Sequence, residues 1–286
     1  MMKPPLLFAL LLALVFLSPV AFAQQAEPAI TIILKDGKAV PTATIKRSGS
    51  NVMVPVQIGT SMGEIGYPVA NIVRIDFPEP PEIKEARDLL TKGKTADVVN
   101  KLKPVLHAQQ PYQDVSGNWW QEAAQVNLIA LVTDGRDAEA DELIAQLEKS
   151  SADPDILMLA KVLRAASAAR KGEHERYLSV FDAAIRQSKN RETLANAWLN
   201  KGHCHFALGQ WEPAIMAYLR LPVFYADQKL LLPAAQLGSG RAMAGLGDSA
   251  SASEKYKELI EAFPRSAEAS FAKSELEKLT NNPPNP

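Results

Sequence analysis

The sequence predicts a mainly α protein: a right-handed α-solenoid of about five helix hairpins with a capping helix, preceded by a small β-barrel or roll. Three observations predict it. Glycines 93, 135, 172, 209 and 247 recur at intervals of 42, 37, 37 and 38 residues, each after a stretch of apolar residues at helical spacing. A glycine at that place stops a helix because it accepts positive φ. Upstream, Val52, Val54, Val56 and Ile58 alternate with Met53, Pro55 and Gln57, the period-two pattern of a strand with one buried face. Between the two regimes stands Pro78-Glu79-Pro80-Pro81, a stiff extended link that also starts a helix.

The elements follow in order. Residues 1–23 read as a secretory signal: Lys3, an apolar run of 12 residues from Leu6 to Leu17, Pro19, and the small-residue site Ala21-Phe22-Ala23. The run is shorter than the roughly 20 residues that span a bilayer. The expectation is therefore cleavage after Ala23, no membrane span afterwards, and a periplasmic or secreted protein. Residues 29–77 form the β unit. Strands are expected at 30–34, 40–47 and 52–58, and a last one with Val73, Ile75 and Phe77 inward. Asp36-Gly37 and the run Ser48-Gly49-Ser50-Asn51 read as turns, and residues 59–66 as a turn-rich stretch. The strand count and turn spacing are similar to SH3-like and Sm-like rolls. Residues 78–81 are the linker, 82–280 the helical repeats, and 281–286 a disordered tail. The final helix, 266–279, caps the array with Lys273, Glu275, Glu277 and Lys278 outward, as a repeat array needs a polar end.

The stretch 198–218 shows how one hairpin is built. A helix over 193–208 ends at Gly209, and a second over 211–221 runs back. Gly202 and Ala214 are small where the two helices touch, and Trp198 and Tyr218 fill the space that remains. Such a hairpin cannot bury its apolar face alone and needs neighbours. The residues Trp198, Gly202, Gly209, Ala214 and Tyr218 resemble the tetratricopeptide (TPR) pattern, with Lys201 in its Leu slot and His205 in its Tyr slot. The unit with Gly240, Gly247, Ala252, Tyr256 and Pro264 resembles it too, with Gln236 in place of Trp. The intervals exceed the usual repeat of about 34 residues, so helices or loops are stretched. The run from Tyr256 to Ser266 is similar to repeat ends of exported bacterial cell-envelope TPR proteins.

Composition and motifs narrow the function. A net charge of −1 gives no overall electrostatic case for nucleic acid or an anionic membrane. Cys204 is the only cysteine, so packing, not an intramolecular disulfide, must hold the fold. His203 and His205 are two apart and point in nearly opposite directions on a helix; His205 is expected to face the core against Tyr218. No metal, cofactor or catalytic constellation is assembled by His107, His174, His203 and His205. Leu237-Gly-Ser-Gly-Arg241 hints at a nucleotide loop, but no strand precedes it, and Gly238 and Gly240 suit close helix packing better.

By resemblance to the TPR family, the first helix of each pair lines a concave face. That places Asn196, Leu199, His203 and Phe206 there in the fourth unit, Ala234, Leu237, Arg241 and Ala244 in the fifth, and Glu122, Gln125, Ile129 and Val132 in the second. Gln125, Asn196, Leu199, His203, Phe206 and Arg241 are the candidate partner contacts. One of Trp119 and Trp120 is expected in the core and the other as a possible anchor. The reading is a non-catalytic exported scaffold that binds a protein or peptide segment of the envelope. The alternatives are a homo-oligomeric assembly subunit and ligand binding by the β unit.

Overall fold

The computed structural model describes residues 30–281; the expected signal segment and residues 282–286 lie outside them. The β unit holds six strands: β1 Ile30–Leu34, β2 Ala39–Thr42, β3 Lys46–Ser48, β4 Asn51–Ile58, β5 Ser61–Pro68 and β6 Ile72–Asp76. They form two three-stranded antiparallel sheets, ordered β2-β1-β6 and β3-β4-β5. No closed barrel forms. The sheets share one core of Ile32, Leu34, Val52, Val54, Ile72 and Ile75.

Three local expectations are corrected. The strand expected over 40–47 is broken into β2 and β3, which belong to different sheets, because the chain crosses between sheets at residues 43–45. The stretch expected as turns, 59–66, is mostly β5, whose Gly63 and Gly66 lie beside the side chains of Ile58 and Met53 across the pair. In β6 the register shifts, so that Ile33 faces Arg74 while Leu34 faces Ile72. The resulting bulge turns Val73 outward, 50% exposed, and leaves Ile72 and Ile75 as the buried pair.

Eleven α-helices follow among the described residues: α1 Pro81–Thr91, α2 Thr95–Gln109, α3 Trp120–Thr133, α4 Asp137–Ser150, α5 Pro154–Ala169, α6 His174–Gln187, α7 Arg191–Ala207, α8 Trp211–Phe224, α9 Leu232–Gly245, α10 Ser249–Ala262 and α11 Ala267–Asn281. The first ten make five hairpins and α11 caps them. Pro81 is thus already helical, with Pro80 at the N-cap, and Asn281 closes α11. Gly93, Gly135, Gly172, Gly209 and Gly247 all have positive φ at the turns inside the hairpins. Asp153, Asn190 and Asp248 accept from backbone N–H groups at the starts of α5, α7 and α10.

The odd-numbered helices form an inner layer in which each touches the next odd one, and each even helix packs outside its partners. This position explains the inner sequences. α3 and α5 are flanked by helices on both sides and have few exposed positions, so they are apolar or small almost all round. No described helix is long and apolar enough to cross a membrane.

The β unit and the helices are joined by more than the linker. The connector between α2 and α3 inserts Tyr112 and Val115 into the β core. Ile75 N donates to Ser116 O at 2.9 Å, and Arg47 makes two hydrogen bonds to Asp114. Trp120 is buried at 1% exposure. Trp119 is not a free anchor: its indole N–H donates to Phe77 O at 3.1 Å and fastens the β unit to the start of α3.

Candidate functional site: the concave groove

The inner layer encloses a groove whose main cavity is about 580 Å³. Its walls come from the C-terminal halves of α3 and α5, the inner face of α7, and the starts of α6, α9 and α11. Ile129, Val132, Leu163, Ala166 and Leu199 make it mostly apolar, while Asp134, Arg170, His174, Asn200, His203 and Glu268 supply polar groups. A smaller cavity of about 220 Å³ continues it and is bounded by His203, Phe206, Ala234, Leu237, Arg241, Glu268 and Phe271.

The candidate contacts fall as follows. Asn196, Leu199 and His203 line the main cavity, and Phe206 and Arg241 the smaller one. Asn196 and Asn200 each give an N–H of their amides to the carbonyl four residues back, at 2.9 and 2.8 Å. Arg241 is held by Glu275 at 3.0 Å and lies over the Phe271 ring. Phe206 stacks edge-on against Trp211. Gln125 borders neither cavity; its amide turns back to Gln121 O. Glu122 pairs with Arg87 at 2.7 Å.

The two helical histidines are exchanged relative to expectation. His203, not His205, meets Tyr218: its Nδ1 is 2.8 Å from the hydroxyl and the rings sit edge to face. His205 instead contacts the Gln210 amide at 2.6 Å, at the turn. The surrounding groove wall, followed by the Arg170 charge, favours the neutral His203 ring and pushes its pKa down to about 4. Solvent still reaches the ring along the groove. Burial pushes the Cys204 thiol up to about 11, so it is a protonated, packed side chain at neutral pH. No group of three or more His, Cys, Asp or Glu suited to a metal occurs among the described residues.

The repeat-forming residues meet at Tyr218. A Cβ on Gly202 of α7 would stand 2.6 Å from the Tyr218 ring, and one on Gly238 of α9 would stand 2.5 Å from it. Tyr218 of α8 is thus wedged between two glycines on neighbouring inner helices. Gly240 repeats the device under Tyr256, where its Cβ would be 2.5 Å from the ring. Gly238 and Gly240 are both inside α9, so the nucleotide-loop hint ends there. Ala214, Ala252 and Tyr256 are buried beside them, and Trp198 lies under the Lys201 and Arg220 cations. Pro264 stands two residues after the end of α10.

A tetratricopeptide repeat family profile matches residues 234–266, which are α9, α10 and the turn after them. Residues 234–266 of this chain are thus a tetratricopeptide repeat. Its solved structural neighbours include PlcR of Bacillus thuringiensis in complex with the peptide PapR7 and DNA, at TM-score 0.53 and 12% identity, over 71% of this chain and 74% of that one. They also include a Podosopora anserina kinesin-light-chain-like protein with nearly identical TPR-like repeats, at TM-score 0.38 and 16% identity, over 68% of this chain and 94% of that one. The likeness to PlcR bears on the fold. No curated protein sequence matches this chain.

The TPR register explains which groove residues a sequence reading can reach. Positions on α7 and α9 follow from the resemblance to the repeat pattern. Arg170, His174 and Glu268 do not: they stand at helix ends, and the superhelical curve brings them into the groove. Leu230 and Leu231 also enter it, from the connection between α8 and α9, and no local signal marks that fold-back.

Proposed function

We propose that this TPR protein is an exported, non-catalytic scaffold that holds an extended protein or peptide segment in its concave groove. One observation carries the reading: the inner helices converge on a cavity of about 580 Å³, apolar along its walls, with amide, imidazole and guanidinium groups at intervals. That mixture suits side chains in apolar sockets with a polar backbone between them. PlcR, which shares the fold, is seen with a peptide; for this chain the peptide reading rests on the groove itself. The N-terminal motif at Lys3, Leu6 to Leu17 and Ala21-Phe22-Ala23 supports export to the envelope. Mass measurement of the exported chain should find Gln24 as its first residue; a retained Met1 would remove the cleavage.

The test is capture from envelope extract by wild type and by Ala234→Arg. Ala234 borders both cavities, and an arginine there fills the passage between them without touching the Tyr218 wedge. A partner held by wild type and lost by the variant supports the groove. Equal capture by both moves binding elsewhere.

A second reading has its own observation. β5 pairs only with β4 and offers an open edge of eight residues, with its Met62 and Ile65 exposed at 71 and 44% and Ile58 of β4 at 64%. Open apolar edges pair with other strands, so self-association through β5 is the alternative. Light scattering on wild type and Met62→Lys/Ile65→Lys separates the two: an oligomer that dissolves in the variant favours the edge.

A further inference from the structure

The groove is partly filled by the chain itself. After α8 the backbone does not turn directly into α9. Residues 225–231 fold inward as a strap before α9 begins at Leu232. Leu230 on this strap packs against both the core of α1–α5 and that of α7–α9. A pocket of about 210 Å³ beneath it is shared by Arg87 and Leu90 of α1, Val126 and Ile129 of α3, and Glu192 and Asn196 of α7. The strap is latched at its outer end by Arg191. That guanidinium makes two hydrogen bonds to the Asp227 carboxylate, donates to Phe224 O at 2.8 Å, and lies over the Tyr225 ring. Three backbone bonds, Gln228 N to Tyr225 O, Lys229 N to Asp227 O and Leu231 N to Gln228 O, hold its shape.

We infer that the strap is a built-in occupant of the groove, and that a partner segment of the same chemistry, a carboxylate followed three and four residues later by adjacent leucines, displaces it. The inference rests on the groove reading above. Its physical basis is that Asp227, Leu230 and Leu231 already show which groups this wall accepts: an anion at Arg191, and branched aliphatic side chains between α3 and α7. A tethered segment competes at an effective concentration of roughly millimolar. A free segment therefore binds weakly until the strap is loosened.

The experiment uses the full chain and a fluorescent synthetic peptide with the sequence of residues 225–233. The variant Asp227→Ala/Leu230→Ala weakens the strap and leaves its seat on α1, α3 and α7 intact; Asp227→Ala alone serves if the double variant folds poorly. Hydrogen exchange of the strap amides should rise at least tenfold, with the amides of α3 and α7 unchanged. The peptide should bind the variant at least tenfold more tightly than wild type, and adding Arg191→Ala should abolish that gain. Unchanged exchange, exchange that rises equally through α7 and α9, or equal peptide binding by variant and wild type would each overturn the inference. Because no extract is needed, these results are independent of the capture test. A strap that opens while no partner is ever captured would remove the proposed function, and a captured partner beside an immobile strap would remove only the displacement.

Discussion

At Tyr218 the hairpins are fixed by the absence of two methyl groups. Gly202 and Gly238 have ordinary helical backbones, so their role is space, whereas Gly135 has φ of 71° and nothing near its missing Cβ, so its role is conformation. The two kinds of glycine should respond differently. Gly202→Ala and Gly238→Ala each force the ring or a helix to move and should cost about 1–3 kcal/mol, read as a lowered denaturation midpoint. Gly135→Ala should cost about 1 kcal/mol through strain at positive φ alone, and Gly135→Asn should recover part of it. A Gly202→Ala chain that melts with wild type would break the wedge account. His203 carries the pH prediction. Its folded pKa, pushed down to about 4, lies below the ordinary histidine value of 6.5. A depressed histidine is neutral in the folded chain and takes its proton first on unfolding. The stability it contributes is therefore complete above about pH 6.5 and falls as pH drops towards 4. His203→Gln should flatten that part of the stability-pH curve, and an unchanged curve would show the ring to be freely solvated.

Among the elements, the α2–α3 connector decides how the β unit sits. Gly117 is its critical point. Its φ is 85°, and a Cβ would stand 2.4 Å from Ile75 O, so Gly117→Ala meets strain and a backbone clash together. The expected result is a loss of more than about 2 kcal/mol together with faster exchange at the Ile75 amide, which Ser116 O otherwise accepts. Trp119→Phe removes the hydrogen bond to Phe77 O and part of the ring packed on the helical core, and should cost about 1–3 kcal/mol. The helices themselves were legible because period and glycine stops are local: α8 starts after Gly209 as expected, while α7 starts at Arg191 after the Asn190 cap, two residues before the expected 193. The β unit was less legible. A bulge at Val73, a glycine-bearing strand at β5 and a sheet change after β2 are each set by what lies across the pair, not by the strand's own residues.

For the whole molecule, the consequence is that the β unit and solenoid share a core. Tyr112 and Val115 belong to the helical part in sequence and to the β core in space. Deleting residues 30–77 should expose both and leave a helical fragment that melts lower than the full chain and associates in light scattering. A fragment as stable as the parent and monomeric would show the β unit to be an appendage. The curve of the inner layer likewise gathers Arg170, His174 and Glu268 from three helix ends, and the strap adds Leu230 and Leu231. The sequence alone determined the solenoid of five hairpins and its cap, and the place of each turn between paired helices. Those depend on residues three, four or seven apart, and short-range sterics settle them. Only the tertiary structure decided which histidine meets Tyr218, where Trp119 is spent, and that the chain fills part of its own groove. Those contacts join residues from 15 to more than 140 positions apart, and which of many apolar surfaces a leucine finally covers is fixed by the packing of the whole array, since hydrophobic attraction has no direction of its own.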